Sequence, residues 1–448
     1  MNFFEFSEVQ DERVTVTRHD ALSSSTAAAH CLPSPLDKSS TGNSVLVVLQ
    51  PSLKREDFSI FFGGLESEAP LTFLRICVDD IPSFAHVILF APDTKRHHPQ
   101  SLITLLSSNT NLLIALSPTQ SPFTSLAAEF SLILPPPGTP LVSHFPERST
   151  NVTTIPIPVP PHPILTPQTA PIWFSGVPHA FGNNPLLFPI LGAPAGGFAA
   201  DSTADSAADT LVEAAEKGGE GLWAGSALGV VTGFQTRDGS RAMWAGGVEL
   251  FSNKFITKEI SKGIKSGNEQ FAKDITAWTS QEKLVLRIDS TTHHLLNETE
   301  PREHYTIKGQ IVHDAYVSQY NAKTSAWEPY SGLTDLQLEF TMLDPHIRTA
   351  LPAVPGVPGK YSVTFRAPDR HGVFKSVVDY KRHGWTFLAS STTVPVVPPR
   401  HDGYPRFLST AWPYYAGAIS TSVGFLLFSA LWLAGDDRSA KKGGAKTE

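Results

Sequence analysis

Hydrophobic and polar positions form three different patterns along this chain, and each pattern predicts a different kind of element. From residue 44 the chain shows short apolar runs, which are typical of strands buried on both faces of a parallel sheet. These runs are SVLVVL (44–49), LTFLRICV (71–78), HVILFA (86–91) and NLLIALS (111–117). Segments 54–65 and 99–106 lie between them and carry apolar residues at helical spacing. The alternation of strands and helices predicts an open α/β sheet.

Further along, residues 228–234 and 241–251 again have the composition of strands, and 263–278 has the pattern of an amphipathic helix. We therefore expect one α/β domain of the flavodoxin-like type over residues 44–281. A proline-rich insert, 141–169, must be extended because proline fixes φ and removes a hydrogen-bond donor. Residues 199–221, rich in Ala, Asp, Glu and Gly, are predicted to form a loop.

Past residue 282 the hydrophobic period changes to two. Short alternating segments follow one another with turn residues between them: VLRID, YTIKGQIVHDAYVSQY, LQLEFTM, KYSVTF, FKSVVDY and TFLASSTTVPV. This spacing is typical of a β-sandwich. We assign it to residues 282–397.

The third pattern is an uncharged apolar run from Ala416 to Ala434, which predicts a transmembrane helix about 28 Å long. A linker, 398–415, precedes it and carries Trp and Tyr side chains, which prefer the headgroup zone. The tail, 435–448, is richer in Lys and Arg than the linker, so the positive-inside rule places it in the cytosol and residues 1–415 in the lumen. A GPI-anchor signal and a buried core helix are the alternatives.

Charge, cysteine content and short motifs limit the classes of partner and site that we expect. A net charge of −7, with basic residues spread along the chain, argues against nucleic acid as a partner. Cys31 and Cys77 are too few for a disulfide framework, which leaves one bond or two free thiols open. Asn151 and Asn297 begin Asn-x-Thr triplets, and both are candidate N-glycosylation sites in a lumenal domain. Residues 1–43 show no periodicity and no export signal, so we expect them to be unstructured or not the biological N-terminus.

Catalytic signatures are missing from the sequence: it contains no GxGxxG, Walker A, GxSxG, HExxH or CxxC motif. We therefore predict no catalytic residue, no metal site and no cofactor. Asp79 and Asp80 follow the second predicted strand, at the sheet edge where α/β proteins bind ligands. They are candidate glycan contacts, since carboxylates accept hydrogen bonds from sugar hydroxyls; a helix cap or solvated turn is the alternative.

Small residues recur every four positions within the membrane run, at Ala416, Ser420 and Gly424. Such a face lets a second helix approach closely in lipid. We interpret it as a packing face for a partner helix, the alternative being the ordinary composition of transmembrane helices.

Long ordered runs in the second half resemble a known family. They are SGLTDLQLEFTMLDPHIRT (331–349), GKYSVTFRAPDRHGVFKSVVDYKRHGWTFLASSTTV (359–394) and HDGYPRFLSTAWPYYAGAIS (401–420). These segments resemble the 48-kilodalton, non-catalytic subunit family of oligosaccharyltransferase, of the DDOST or WBP type. Weaker resemblance extends through 184–191, 233–253 and the strands from residue 44.

The resemblance implies a single-pass type I protein of the endoplasmic reticulum membrane, whose partners are the other oligosaccharyltransferase subunits. That complex transfers a preassembled oligosaccharide from dolichyl diphosphate to Asn in Asn-x-Ser/Thr. The expected role is complex assembly, with binding of the dolichyl-diphosphate-linked oligosaccharide as a further expectation. A single-pass lectin or cargo receptor, or a lumenal glycosidase with two opposed carboxylates, are alternatives of other classes.

Overall fold

The computed structural model describes residues 44–50, 52–66, 71–72, 77–78, 81–82, 84–90, 102–104, 106, 110–119, 122–144, 152–201, 209, 212, 216, 223–261, 263–403 and 406–441. Its continuously described α-helices are α1 (Ser59–Glu66), α2 (Pro122–Glu129), α3 (Asn253–Thr257), α4 (Asn268–Thr279) and α5 (Trp412–Lys441). Residues 102–104 and 106, within the predicted helical segment 99–106, are also helical. Its 3₁₀ helices are Arg55–Phe58, Val248–Phe251, His401–Gly403 and Ser409–Ala411.

The strands in the first part of the chain are β1 (Val45–Leu49), β2 (Leu71–Thr72), β3 (Cys77–Val78), β4 (Ile81–Pro82), β5 (His86–Phe90), β6 (Asn111–Ala115), β7 (Leu132–Ile133), β8 (Leu141–Ser143), β9 (Ile155–Ile157), β10 (Ile172–Phe174), β11 (Ala180–Phe181), β12 (Leu187–Gly192), β13 (Gly197–Ala199), β14 (Gly229–Gln235), β15 (Arg241–Ala245), β16 (Glu259–Ser261) and β17 (Ile264–Lys265). Those in the second part are β18 (Leu286–Leu295), β19 (Tyr305–Thr306), β20 (Gln310–Asn321), β21 (Ala326–Pro329), β22 (Gln337–Thr341), β23 (Pro345–Ala350), β24 (Lys360–Arg366), β25 (Gly372–Tyr380) and β26 (Leu388–Val397).

A seven-stranded mixed sheet organises the first part, in the order β12-β14-β15-β6-β5-β1-β2. The pairings β2·β1, β1·β5, β5·β6 and β6·β15 are parallel, whereas β14 and β12 extend the sheet antiparallel. Among the parallel strands, β2-β1-β5-β6-β15 follow the 2-1-3-4-5 order of flavodoxin-like sheets. The predicted α/β sheet is confirmed.

Apolar residues on both faces explain why the central strands read as continuous hydrophobic runs. Alternate residues of β1, such as Val45 and Val47, pack with the aromatic side chains of α1 and α4. Leu46 points to the other face and packs with Phe123 and Leu126 of α2. The sheet is therefore covered by helices on both faces, as a parallel sheet requires.

Two predicted elements are shorter than the sequence pattern indicates. The strand expected over 241–251 ends at Ala245. Only glycine fits at the next two positions, because a Cβ on Gly246 would lie 2.2 Å from the carbonyl oxygen of Val177 and one on Gly247 2.2 Å from that of Ser175. A 3₁₀ turn, Val248–Phe251, follows. The helix expected over 263–278 begins at Asn268, because the β16–β17 hairpin occupies its first residues.

The strand predicted over 71–78 is described only as β2 and β3, which belong to different sheets. Within the proline-rich insert, β8 and β9 are extended, as predicted, and pair with β13 and β10. Most of the predicted 199–221 loop lies outside the described residues, as do residues 1–43. Residues 209, 212 and 216 are helical, which the loop prediction did not anticipate.

Two facing sheets make up the second part and confirm the predicted β-sandwich. In one sheet, the long strand β20 lies in the centre and pairs with β18 along one edge. Along its other edge, the first part of β20 pairs with β24 and the last part with β21. The second sheet has the order β19-β26-β25-β22-β23. Inward residues of both sheets form one core, in which the rings of Phe340 and Phe374 stack 4.7 Å apart.

Candidate functional site

The C-terminal helix α5 presents a continuous exposed apolar surface. Residues Ser409–Ala434 are long and apolar enough to cross a membrane, and none of the most apolar stretch is buried against the rest of the protein. Side chains such as Phe425 and Leu426 are 68% and 66% exposed. Monomeric soluble proteins rarely expose so large a continuous apolar surface, whereas lipid or partner helices cover one.

Three hydroxyl groups within α5 are satisfied by the helix itself. Ser420 and Thr421 donate to the carbonyl oxygen of Gly417, at 2.9 and 2.8 Å, and Ser422 donates to that of Ala418 at 2.9 Å. These three hydroxyls therefore do not need water, which makes this part of the helix compatible with hydrocarbon.

Ala416, Ser420 and Gly424 all lie on α5, and the helical period places them along one face. Ser420 and Gly424 are exposed and Ala416 is half-buried. A Cβ added at Gly424 would meet no atom of this chain within 4 Å. The described chain thus leaves room along this face, while the role of the face as a packing surface stays a prediction.

Aromatic rings surround the start of α5. Phe407 stacks on Tyr415 with centroids 5.0 Å apart and meets Trp412 edge-on at 6.1 Å. Tyr414 is 81% exposed, and Trp432 is exposed further along the helix. This is the arrangement of an aromatic belt at a membrane interface.

The structure describes only some of the other predicted site residues. Asp79 and Asp80 lie outside the described residues, as do Asn151 and Cys31, whereas Cys77 begins β3. Asn297 lies exposed in the turn after β18. In the described part of the chain, no three His, Cys, Asp or Glu side chains form a group that could hold a metal ion.

A buried polar cluster, formed by His86, Asn111, Arg241 and Gln281, lies at the amino ends of β5, β6 and β15. The Asn111 amide donates to Nδ1 of His86 at 3.0 Å, and its oxygen accepts from the Arg241 backbone and the Gln281 amide. Burial lowers the pKa of His86 to about 4, so the ring is neutral near pH 7.

Arg241 links this cluster to the β-sandwich. Its guanidinium is fully buried, lies 4.7 Å from the Trp278 ring, and donates to the carbonyl oxygens of Trp278, Lys283 and Leu284 and to the Thr386 hydroxyl. Burial lowers the pKa of Arg241 to about 9.

Two further contacts strengthen the same junction: Trp278 Nε1 donates to the carbonyl of Gly384 at 2.7 Å, and the Gln235 amide donates to that of Trp385 at 3.0 Å. The side chain of Trp385 packs against both hydrophobic cores. The α/β sheet and the sandwich are therefore joined by directional contacts.

A cleft of about 1010 Å³ opens beside this junction, between α1, α4, the proline-rich insert and the β20–β21 hairpin. Asp274, 1% exposed, forms part of its wall. Its carboxylate accepts hydrogen bonds from the backbone and hydroxyl of Thr166, from Gln270 and from Lys283. With four donors, Asp274 holds the wall together and has little capacity left for a ligand.

Sequence reasoning missed both Arg241 and Asp274. A usable signal existed for Asp274, because it occupies an apolar-face position of α4 between Phe271 and Trp278. A charged residue on such a face indicates a buried partner. For Arg241 the only signal was a charged residue opening an otherwise apolar strand.

Known proteins resemble this chain along most of its length. A family model described as OST48, N-terminal domain, matches residues 36–282, and the OST48 middle domain matches residues 293–436. The chain belongs to the OST48 family. The two matched regions correspond to the α/β part and to the sandwich with most of α5.

Three members of the family carry the name dolichyl-diphosphooligosaccharide–protein glycosyltransferase 48 kDa subunit. The Danio rerio protein is 29% identical over 424 residues, covering 88% of this chain and 91% of that protein. The Arabidopsis thaliana protein is 31% identical over 271 residues, covering 59% and 58%. The Caenorhabditis elegans protein is 39% identical over 230 residues, or 50% of each chain.

Proposed function

We propose that this protein is a non-catalytic subunit of oligosaccharyltransferase in the endoplasmic reticulum membrane. Its membership of the OST48 family carries the proposal, because the relatives bear the name of that subunit. The exposed apolar surface of α5 supports it, since a subunit anchored by one helix needs lipid and partner helices around that helix.

The proposed arrangement is type I: α5 crosses the bilayer once, the tail after it is cytosolic, and the α/β sheet and sandwich are lumenal. The charge asymmetry on the two sides of the helix supports this orientation. In this position the joined α/β sheet and sandwich form a lumenal body whose role is to hold the complex together. Glycosyl transfer itself belongs to another subunit.

Depletion of the protein tests this assembly role. We expect acceptor sites on a reporter glycoprotein to be skipped and the levels of the partner subunits to fall, because partners with uncovered apolar surface are degraded. Full site occupancy with altered glycoprotein trafficking would favour a free-standing lectin or cargo receptor. Co-purification of transferase subunits from detergent extracts provides the second readout.

Contact with the lipid-linked donor is the finer part of the proposal, and Asp79 and Asp80 are its candidate residues. Replacing both with Asn in the assembled complex should raise the KM for the donor and leave kcat unchanged, because the residues touch the glycan away from the reacting bond. A loss of kcat of about a thousandfold with intact assembly would contradict a non-catalytic role.

A further inference from the structure

The acceptor triplet Asn297-Glu298-Thr299 lies in the turn that leaves β18, on the surface of the sandwich. Asn297 and Thr299 are both exposed. In the part of the chain that the structure describes, the Asn297 amide has no hydrogen-bond partner. By contrast, the amides of Asn111 and Asn268 are buried and bonded to neighbouring elements.

Neighbouring contacts fix the turn without using the asparagine. The backbone N–H of Glu298 donates to the Leu295 carbonyl at 2.9 Å, and Arg302 Nε donates to the Glu298 carboxylate at 2.6 Å. The Arg302 guanidinium holds the pKa of Glu298 below its usual range. The Arg302 backbone in turn donates to the hydroxyl of Tyr305, whose ring is buried in the sandwich core. The turn is therefore anchored at its middle residue, and a substituent on Asn297 disturbs none of these contacts.

We propose that Asn297 is an N-glycosylation site, so that the protein is itself a substrate of the reaction its complex performs. The proposal rests on the lumenal orientation given under Proposed function. Asn297 Nδ2 forms the new bond to the anomeric carbon of a lipid diphosphate-linked oligosaccharide, and the bond from that carbon to the phosphate oxygen breaks. The lipid diphosphate leaves, and the amide nitrogen loses one of its two protons to base.

A glycan at this position would also cover one end of the sandwich. The adjacent Leu296 is 51% exposed, and a bulky hydrophilic group covers such a side chain from solvent and from other proteins. The end of the sandwich that carries the 296–304 turn is then a glycan-covered surface, and partner subunits contact the protein elsewhere.

The experiment compares the full chain with point variants after expression in membranes, using the mobility shift on endoglycosidase treatment. Asn297→Gln and Thr299→Ala should each lose one glycan, whereas Thr299→Ser should retain it because serine completes the triplet. Each variant is also made with Asn151→Gln, so that the other triplet does not contribute to the shift.

A gain-of-site control separates this proposal from the orientation on which it rests. Lys323→Asn turns the exposed hairpin sequence Lys323-Thr324-Ser325 into an acceptor triplet on the same sandwich. If that variant gains a glycan while Asn297 carries none, the Asn297 proposal is wrong and the lumenal orientation stands. If neither position is modified, the orientation fails and the proposal falls with it.

Discussion

The buried polar cluster and the C-terminal helix α5 differ in how their side chains are covered. In the cluster, Arg241 is 0% exposed and finds its acceptors in three backbone carbonyls and one hydroxyl of the same chain. In α5, Leu426 is 66% exposed and nothing in the described chain covers it. A substitution in the cluster should therefore change the isolated protein, and one in α5 should act only where lipid and partners are present.

Replacement of Arg241 by methionine should have the largest effect. It removes the hydrogen bonds from the charged guanidinium to the carbonyls of Trp278, Lys283 and Leu284, and a hydrogen bond to a charged group contributes about 1.5–3 kcal/mol. We expect the full chain in detergent to lose about 3 kcal/mol of unfolding free energy or more. Thermal unfolding measures this loss.

Arg237→Met is the matched control, because Arg237 is exposed in the turn before β15. We expect that control to stay within about 0.5 kcal/mol of the wild type. Equal effects of the two substitutions would show that the Arg241 contacts contribute nothing specific.

Acidification should lower the free energy of unfolding through the buried cluster and leave α5 unaffected. Burial lowers the pKa of His86 to about 4, against about 6.5 in the unfolded chain, so between these values the unfolded state binds more protons. Stability should be constant above about pH 7 and fall as the pH drops from 6.5 towards 4, by up to about 1.4 kcal/mol per pH unit for this histidine.

The slope of stability against pH is the readout, because His86→Gln also changes stability at every pH. That variant should show a shallower slope below pH 6.5, whereas His371→Gln, at an exposed position, should leave the slope as it is. An unchanged slope in His86→Gln would assign the acid sensitivity to other groups, with buried His179 and His313 the next to replace.

Substitutions in α5 should have the smallest effect on the isolated chain. Ser420→Ile combined with Gly424→Leu adds bulk to the small-residue face, and we expect less than about 0.5 kcal/mol of change in unfolding. Recovery of partner subunits with the protein should nonetheless fall severalfold, because close packing is the main attraction between helices in lipid. Co-purification at equal expression measures it.

Ser422→Ile combined with Ala418→Leu is the control on the opposite side of α5. Ser422 donates to a backbone carbonyl as Ser420 does, so the two pairs differ mainly in direction around the helix. If the control pair impairs assembly equally, the face of Ala416, Ser420 and Gly424 has no special role.

Sequence patterns predicted the elements whose signal is local. The strands β1, β5 and β6 and the apolar part of α5 were identified because nearly all of their own residues are apolar. The end of β15 was not, since apolar residues continue beyond it and Val177, whose carbonyl approaches Gly246, lies nearly seventy residues earlier in the chain. The site residues divide in the same way: helical periodicity placed Ser420 and Gly424 on one face, whereas the partners of Arg241 and Asp274 come from distant segments.

The hydrogen bond from Arg241 to Thr386 spans 145 residues and therefore sets a waiting time during synthesis. At about 5–20 residues per second, roughly 7–30 s pass between the synthesis of the donor and that of its acceptor. The three carbonyl acceptors of Arg241 follow it by only 37, 42 and 43 residues, so only the contact with Thr386 waits for the end of the sandwich. The ribosome reaches α5 soon after Thr386, so the contact between the two parts becomes possible only shortly before the apolar helix is synthesised.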